Sequence, residues 1–258
     1  MREFTCNKMR VVVFGARRDM GEAAARQAGD ALVAEITEKG KAAAIFACAP
    51  SQLDCLSALR KMPRIRWDRV TVFHMDEYLG MPETHPESFR RFLIRELVSH
   101  VKPAAFHGIR GEAEDPGAEL ARYTSLVEEA KPVLCVLGIG ENGHLAFNDP
   151  PADFETAKTI HMVELDEKCR LQQVGEGHFP SLAETPARAY SLTVPALLKP
   201  KVVVGVVPGP KKAEAVRNAL EGPVTPQCPA SILRTRANVT LYLDNGSAAL
   251  LSKAGSQS

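Results

Sequence analysis

"PVLCVLGIGENGHLAFNDPP", residues 132 to 151, joins an uninterrupted apolar run to a turn holding three glycines, a histidine, two asparagines and two acids. An apolar run without polar alternation is how a strand reads when both of its faces are buried, as in a parallel sheet covered by helices on each side. The glycines that follow permit positive φ and let backbone amides approach a ligand closely. Alone they signal a tight strand-to-helix turn. His144 shifts the reading, because imidazole titrates near neutrality and suits proton transfer. It also has company: Glu141 and Asn142 lie just before it and Asp149 five residues after.

Outward from this stretch, similar apolar runs recur at "RVVVF" (10–14), "AAAIFACA" (42–49), "RVTVFHM" (69–75), "KVVVGVVP" (201–208) and "NVTLYLD" (238–244). Helical spacing and caps predict helices over 19–39, 51–61, 86–101, 116–130, 210–221 and 246–253. Strands alternating with helices build βαβ units. The expectation is therefore an α/β fold: a three-layer α/β/α sandwich with a mainly parallel sheet, formed by one domain over residues 1–258 with a polar tail from about 252. In such folds the ligand lies beyond the carboxyl ends of the strands, at a topological switch point. "CAPSQ", "HMDEY", "GIGENGH" and "PGPKK" all fall at such ends.

Composition narrows the function. With 32 basic and 31 acidic residues there is no global field to attract nucleic acid or an anionic membrane. Six scattered cysteines without CxxC spacing read as reduced thiols rather than a disulfide or zinc framework. The N-terminal apolar run is too short for a signal peptide or a span. The protein is expected to be cytoplasmic.

Several segments carry chemistry. In "FHMDEY" (73–78) consecutive strand residues face opposite ways, so Asp76 and Glu77 should diverge, one toward the crevice and the other into structure. "APSQLD" places Ser51 at an expected N-cap with Asp54 three residues on, and a helix start is also a ready anion site. "GPKKAEAV" puts Lys211 and Lys212 beside a helix start, where a cation is disfavoured unless an anion is near. "FGARRDMG" lacks GxGxxG spacing and carries no dinucleotide signal.

Together, "FHMDEYLGMPETHPESF" (73–89) and "LGIGENGHLAFNDPP" (137–151) resemble the glucosamine-6-phosphate deaminase/isomerase family, with weaker similarity from about the second strand to "LYLD" (241–244). The related 6-phosphogluconolactonases share the fold and a similar glycine-histidine loop, but typically continue into a Ser-Leu-Phe-Pro-like run where this chain has "AFNDPP". The resemblance implies the modified Rossmann-like fold shared with ribose-5-phosphate isomerase, and conversion of an amino-sugar phosphate plus water to a ketose phosphate plus ammonia. It implies no metal and no organic cofactor. Carried onto this chain, Asp76 is the base that moves a proton between C2 and C1, and His144 opens the sugar ring with support from Asn142 and Asp149. Lys212 holds the phosphate, with Ser51, Arg170, Gly138, Gly140 and Gly143 completing the binding set.

The chain departs from the family's pattern at three places. Asn142 and Asp149 stand where many members have Asp and Glu. "CAPSQ" replaces a glycine- and threonine-rich phosphate loop. "LQQVGEG" follows "LDEKCR" where members usually continue to a phosphate-binding arginine. The alternatives are a lactonase-like hydrolase of a sugar phosphate on the same scaffold and a non-catalytic sugar-phosphate-binding regulator; the presence of both Asp76 and His144 argues against the regulator. The expected partner is a small sugar phosphate, not nucleic acid or a membrane, and a homo-oligomer stays open.

Overall fold

In a computed structural model, which describes residues 1–165, 167, 170–171, 174 and 179–252, the six apolar runs all become strands of one sheet. In chain order the strands are β1 (Arg2–Cys6), β2 (Met9–Phe14), β3 (Ala42–Phe46), β4 (Val70–His74), β5 (Asp76–Tyr78), β6 (Ala105–His107), β7 (Leu134–Leu137), β8 (Ile160–Glu164), β9 (Arg188–Leu192), β10 (Val202–Val207) and β11 (Val239–Asp244). The large sheet runs β1-β2-β11-β10-β7-β3-β4-β6, parallel except for β1 at one edge. The chain leaves β3 outward to β4 and β6, then returns to β7 and continues the other way to β10 and β11. The switch point therefore falls between β3 and β7, and in sheets of this kind ligands bind beyond the carboxyl ends of the strands there.

Helices α1 (Arg17–Lys39), α2 (Leu53–Leu59) and α3 (Phe89–Leu93) cover one face; α4 (Pro116–Ala130), α5 (Val194–Leu198) and α6 (Ala213–Glu221) cover the other. The strand period of two does the sorting. Val11 and Val13 pack with Tyr123, Leu197 and Val216, while Val12 between them packs with Met20, Leu32 and Leu56. Each such side chain contributes about 1.5–3 kcal/mol by leaving water, so both helical layers are held by the same strands. The three-layer sandwich is as expected.

Several boundaries differ from the sequence reading. The helix expected over 86–101 starts at Phe89, capped by Ser88, whose hydroxyl accepts from Arg91 N; Pro86 precedes it, and the helix continues through a π turn (Ile94–Val98) to Ser99–Val101. No helix forms over 246–252: Asp244 instead caps a series of turns, accepting from Ser247 N at 2.7 Å. Lys253 and the tail lie outside the described residues, as does Cys169. A second, three-stranded antiparallel sheet, β5-β9-β8, sits at the carboxyl end of β4. Its strands are short and partly polar, so they lack the continuous apolar signature of the large sheet. Among the described residues no helix is long and apolar enough to cross a membrane.

Candidate active site

The loop after β7 is shaped by its own side chains. His144 lies back over Gly140, where a Cβ would meet the imidazole Nε2 at 2.2 Å. Gly143 has φ +87°, a left-handed conformation suited to glycine, and its carbonyl accepts from Ala230 N at 2.8 Å. The turn closes through Gly143 N to Gly140 O and Gly140 N to His144 O, both 3.0 Å. Gly138 has a separate reason: a Cβ there would stand 3.1 Å from Gln52 Nε2. That amide crosses from the segment after β3, above the end of β7, to Val206 O of β10 at 3.1 Å. The space left by Gly138 and Gly140 is thus occupied by the protein's own side chains, which refines their expected role as ligand-facing glycines.

The histidine is held in a network. His144 Nδ1 lies 3.1 Å from Asp149 Oδ1, the same oxygen accepts from Asn142 Nδ2 at 2.9 Å, and Asn142 Oδ1 accepts from His144 N at 3.0 Å. An ionised carboxylate only accepts, so the proton of the neutral imidazole is held on Nδ1, and in that tautomer the lone pair lies on Nε2. The shorter Asp149 reaches the ring directly.

Asp76 opens β5 and pairs in register with Ser191 of β9. Its carboxylate is 8% exposed and makes no hydrogen bond among the described residues. Burial, reinforced by the neighbouring Glu77 carboxylate, pushes its pKa up to about 8. Glu77 points the other way, as period two requires. It is fully buried and accepts from Tyr78 N, Phe89 N, Arg90 N and Ser88 Oγ at 2.7–3.2 Å. The expected divergence of the two acids is therefore present, with Asp76 as the one lacking a structural partner.

Ser191 joins the two halves. Its hydroxyl accepts from Phe147 N at 3.1 Å and from Asn148 Nδ2 at 3.2 Å, so the strand residue opposite Asp76 is bonded to the histidine loop. Asn148 also donates to Leu145 O and Leu192 O, and its Oδ1 lies 3.1 Å from His161 Nε2 on β8. Tyr78 and Phe147 rings pack 5.2 Å apart beside the same junction. Sequence reasoning overlooked Ser191 and the anchoring role of Asn148. The alternation in "RAYSL" was the available signal for a strand there, but nothing in it named the strand's partner.

The anion-side residues fare unevenly. Ser51 does not cap a helix: it lies inside a 3-10 turn (Pro50–Gln52) whose flanking residue is Ala49, and its hydroxyl accepts from Gln52 Nε2 at 3.0 Å. The proposed partner Asp54 is paired with Arg17 at 2.5 Å instead. The proline before Ser51 fixes the first turn, which removes the need for a side-chain cap. Lys212 ends the turn Pro210–Lys212 that opens α6 at the carboxyl end of β10, as expected. Arg170, expected at the phosphate, is turned inward: Nη2 donates to Leu182 O and Thr185 O at 2.6 and 2.7 Å, tying down backbone carbonyls.

Comparison with known proteins agrees with this geometry. The family described as glucosamine-6-phosphate isomerases/6-phosphogluconolactonase matches residues 16–242. Glucosamine-6-phosphate deaminase of Bacillus cytotoxicus is 34% identical over 230 residues, covering 88% of this chain and 86% of that one. The Exiguobacterium sibiricum enzyme of the same name is 36% identical over 189 residues, 73% of each. A solved monomeric glucosamine-6-phosphate deaminase superimposes with a TM-score of 0.84 at 28% identity, covering 93% of this chain and 99% of that one. A 6-phosphogluconolactonase from Thermotoga maritima, at 17% identity and a TM-score of 0.73, shares the fold. The chain belongs to the glucosamine-6-phosphate isomerase/6-phosphogluconolactonase family.

Proposed function

We propose that the chain converts glucosamine 6-phosphate and water to fructose 6-phosphate and ammonia. The observation that carries this reading is Asp76: a buried carboxyl at the switch-point crevice, without a hydrogen-bond partner among the described residues, tied through Ser191 to the loop that holds His144. An aldose-to-ketose shift needs one base that reaches two adjacent carbons, and ring opening needs a separate acid-base group. His144 Nε2 takes the C1 hydroxyl proton and returns it to the ring oxygen. Asp76 removes the C2 proton from the open-chain sugar, giving an enolamine, and delivers it to C1. The resulting ketimine is hydrolysed to ketone and ammonia. Asn142 and Asp149 hold the imidazole in its working tautomer.

The phosphate end is assigned to Lys212 and to Ser51 with the amides of its turn. Gln52 supports this by fixing the Ser51 segment to the end of β10, next to the turn that carries Lys212. Arg170 is left out of the phosphate site, since its Nε and Nη2 donate to the carbonyls of Leu182 and Thr185. The test is ammonia release measured in parallel with glucosamine 6-phosphate, unphosphorylated glucosamine and 6-phosphogluconolactone. Rapid ammonia release from the amino-sugar phosphate alone supports the reading. Lactone hydrolysis without ammonia release overturns it.

A further inference from the structure

The adjacent acids in "MDEY" differ in setting: the Asp76 side chain has no hydrogen-bond partner among the described residues, while Glu77 anchors the start of α3. The environment of Glu77 argues for more. Its Oε1 accepts from Tyr78 N at 3.1 Å and Phe89 N at 3.2 Å; its Oε2 accepts from Ser88 Oγ at 2.7 Å and Arg90 N at 2.9 Å. Backbone amides can only donate. The Ser88 hydroxyl itself receives Arg91 N at 3.2 Å, which turns its proton toward Glu77. Four donors thus converge on the carboxylate, three of them backbone amides that cannot accept, so the ionised form is the one that this ring of donors satisfies in full. Burial raises the Glu77 pKa above the ordinary glutamate value, and the four donors oppose that rise and favour the charged form. The result is an anion fixed inside the protein one residue from Asp76.

Among the described residues no cation pairs with Glu77 or with Asp76. His74 on β4 is buried and driven down to about 3, so it stays neutral, and its Nε2 accepts from Ile109 N at 2.8 Å. Cys48, after β3, is a buried thiol raised by burial and by both acids. Tyr190, opposite Glu77 on β9, is also raised by burial and stays a phenol. Arg90 on α3, whose backbone amide bonds Glu77, directs its guanidinium to Glu112 at 2.7 Å and Glu83 at 3.2 Å. His144 and Asp149 form their own pair on the loop.

We propose that Glu77 is a positioning residue that acts on the reaction through Asp76, its fixed charge making the neighbouring carboxylate a stronger base than burial alone would. This rests on Asp76 being the proton-transfer base. The same four bonds anchor β5 to the start of α3, so that the base is held in place and charged by one device. A fixed anion suits a carboxyl that must take a proton from carbon and keep it long enough to deliver it to the next carbon.

The experiment is the pH profile of kcat/KM for the wild type, Glu77→Gln, Glu77→Asp and Asp76→Asn, each checked for folding by circular dichroism. Wild type is expected to show an acid limb near pH 8, where Asp76 ionises. Glu77→Gln keeps the shape but not the charge, and its limb moves down by about one pH unit or more, as expected for loss of a unit charge a few ångströms away in a partly screened interior. Glu77→Asp keeps the charge, and its limb stays near that of the wild type even though turnover falls. A limb that does not move in folded Glu77→Gln overturns the inference, because a purely structural role scales the whole profile. Should Glu77→Gln fail to fold, a limb lost in the charge-retaining Glu77→Asp overturns it equally. Full activity in Asp76→Asn removes the base assignment itself, an outcome separate from a static limb with Asp76→Asn inactive.

Discussion

Replacing Asp76 by Asn should stabilise the fold while abolishing its chemistry, and by an amount that depends on pH in a definite direction. The folded pKa is raised from the 3.8 of a free aspartate to about 8. The folded protein thus holds a proton that the unfolded chain releases, and the contribution of Asp76 to stability is most favourable below pH 4 and declines as pH rises to 8. At about 1.4 kcal/mol per pH unit the whole span amounts to roughly 5 kcal/mol, an upper bound because water entering the crevice relaxes it. Asparagine does not titrate. Between pH 5.5 and pH 8.5 the stability gap between variant and wild type should therefore open by about 3 kcal/mol in favour of the variant. In a domain of this size that is about 6–12 °C in Tm. Urea unfolding and thermal melts of both proteins at four pH values across that range give the comparison. A gap that stays constant with pH, or one that closes as pH rises, would refute the claim that Asp76 is an ionisable group penalised by burial.

Further outcomes follow from the loop and the anion end. Gly140→Ala puts a methyl where His144 lies, at 2.2 Å from Nε2; the ring must move, and activity should fall by about 10²-fold with the melting temperature little changed, measured as ammonia release against thermal unfolding. His144→Gln should lose more rate on the cyclic sugar phosphate than on an analogue fixed in the open-chain form, and equal losses would assign it to binding instead. Lys212→Ala should weaken the phosphorylated substrate by on the order of 2 kcal/mol, the loss of a charge-assisted hydrogen bond, and leave unphosphorylated glucosamine nearly unaffected in a KM comparison.

The six inner strands of the large sheet were legible because they are buried on both faces and read as continuous apolar runs, as in "KVVVGVV" and "PVLCVL"; the edge strands Arg2–Cys6 and Ala105–His107, only partly buried, lack that signature and were not read. Nor was the small sheet. Asp76–Tyr78 pairs with a strand more than a hundred residues away, and a three-residue strand has no local period to detect; Arg188–Leu192 bridges it to Ile160–Glu164. The same remoteness hid Ser191, whose importance comes from facing Asp76. The divergence of Asp76 and Glu77 was readable from strand geometry alone, and so was the turn that places His144. Ser51 was misplaced because Ser-x-x-Asp is a capping pattern only when the helix begins after the serine; here Pro50 starts the turn first and Asp54 is drawn to Arg17. Arg170 could not be assigned from sequence, since a guanidinium serves backbone carbonyls as readily as phosphate, and only the fold brings Leu182 and Thr185 to it.

Solvent exchange at substrate C2 measures directly whether Asp76 moves the proton between the two carbons. In deuterated water, with glucosamine 6-phosphate as substrate and proton NMR as the readout, the wild-type protein should exchange the C2 proton and carry label into C1 of the product. The folded Asp76→Asn variant should do so at least about 10²-fold more slowly, the scale of general-base catalysis. Exchange at an undiminished rate in that variant would contradict the assignment and return the search for the base to the other groups of the crevice.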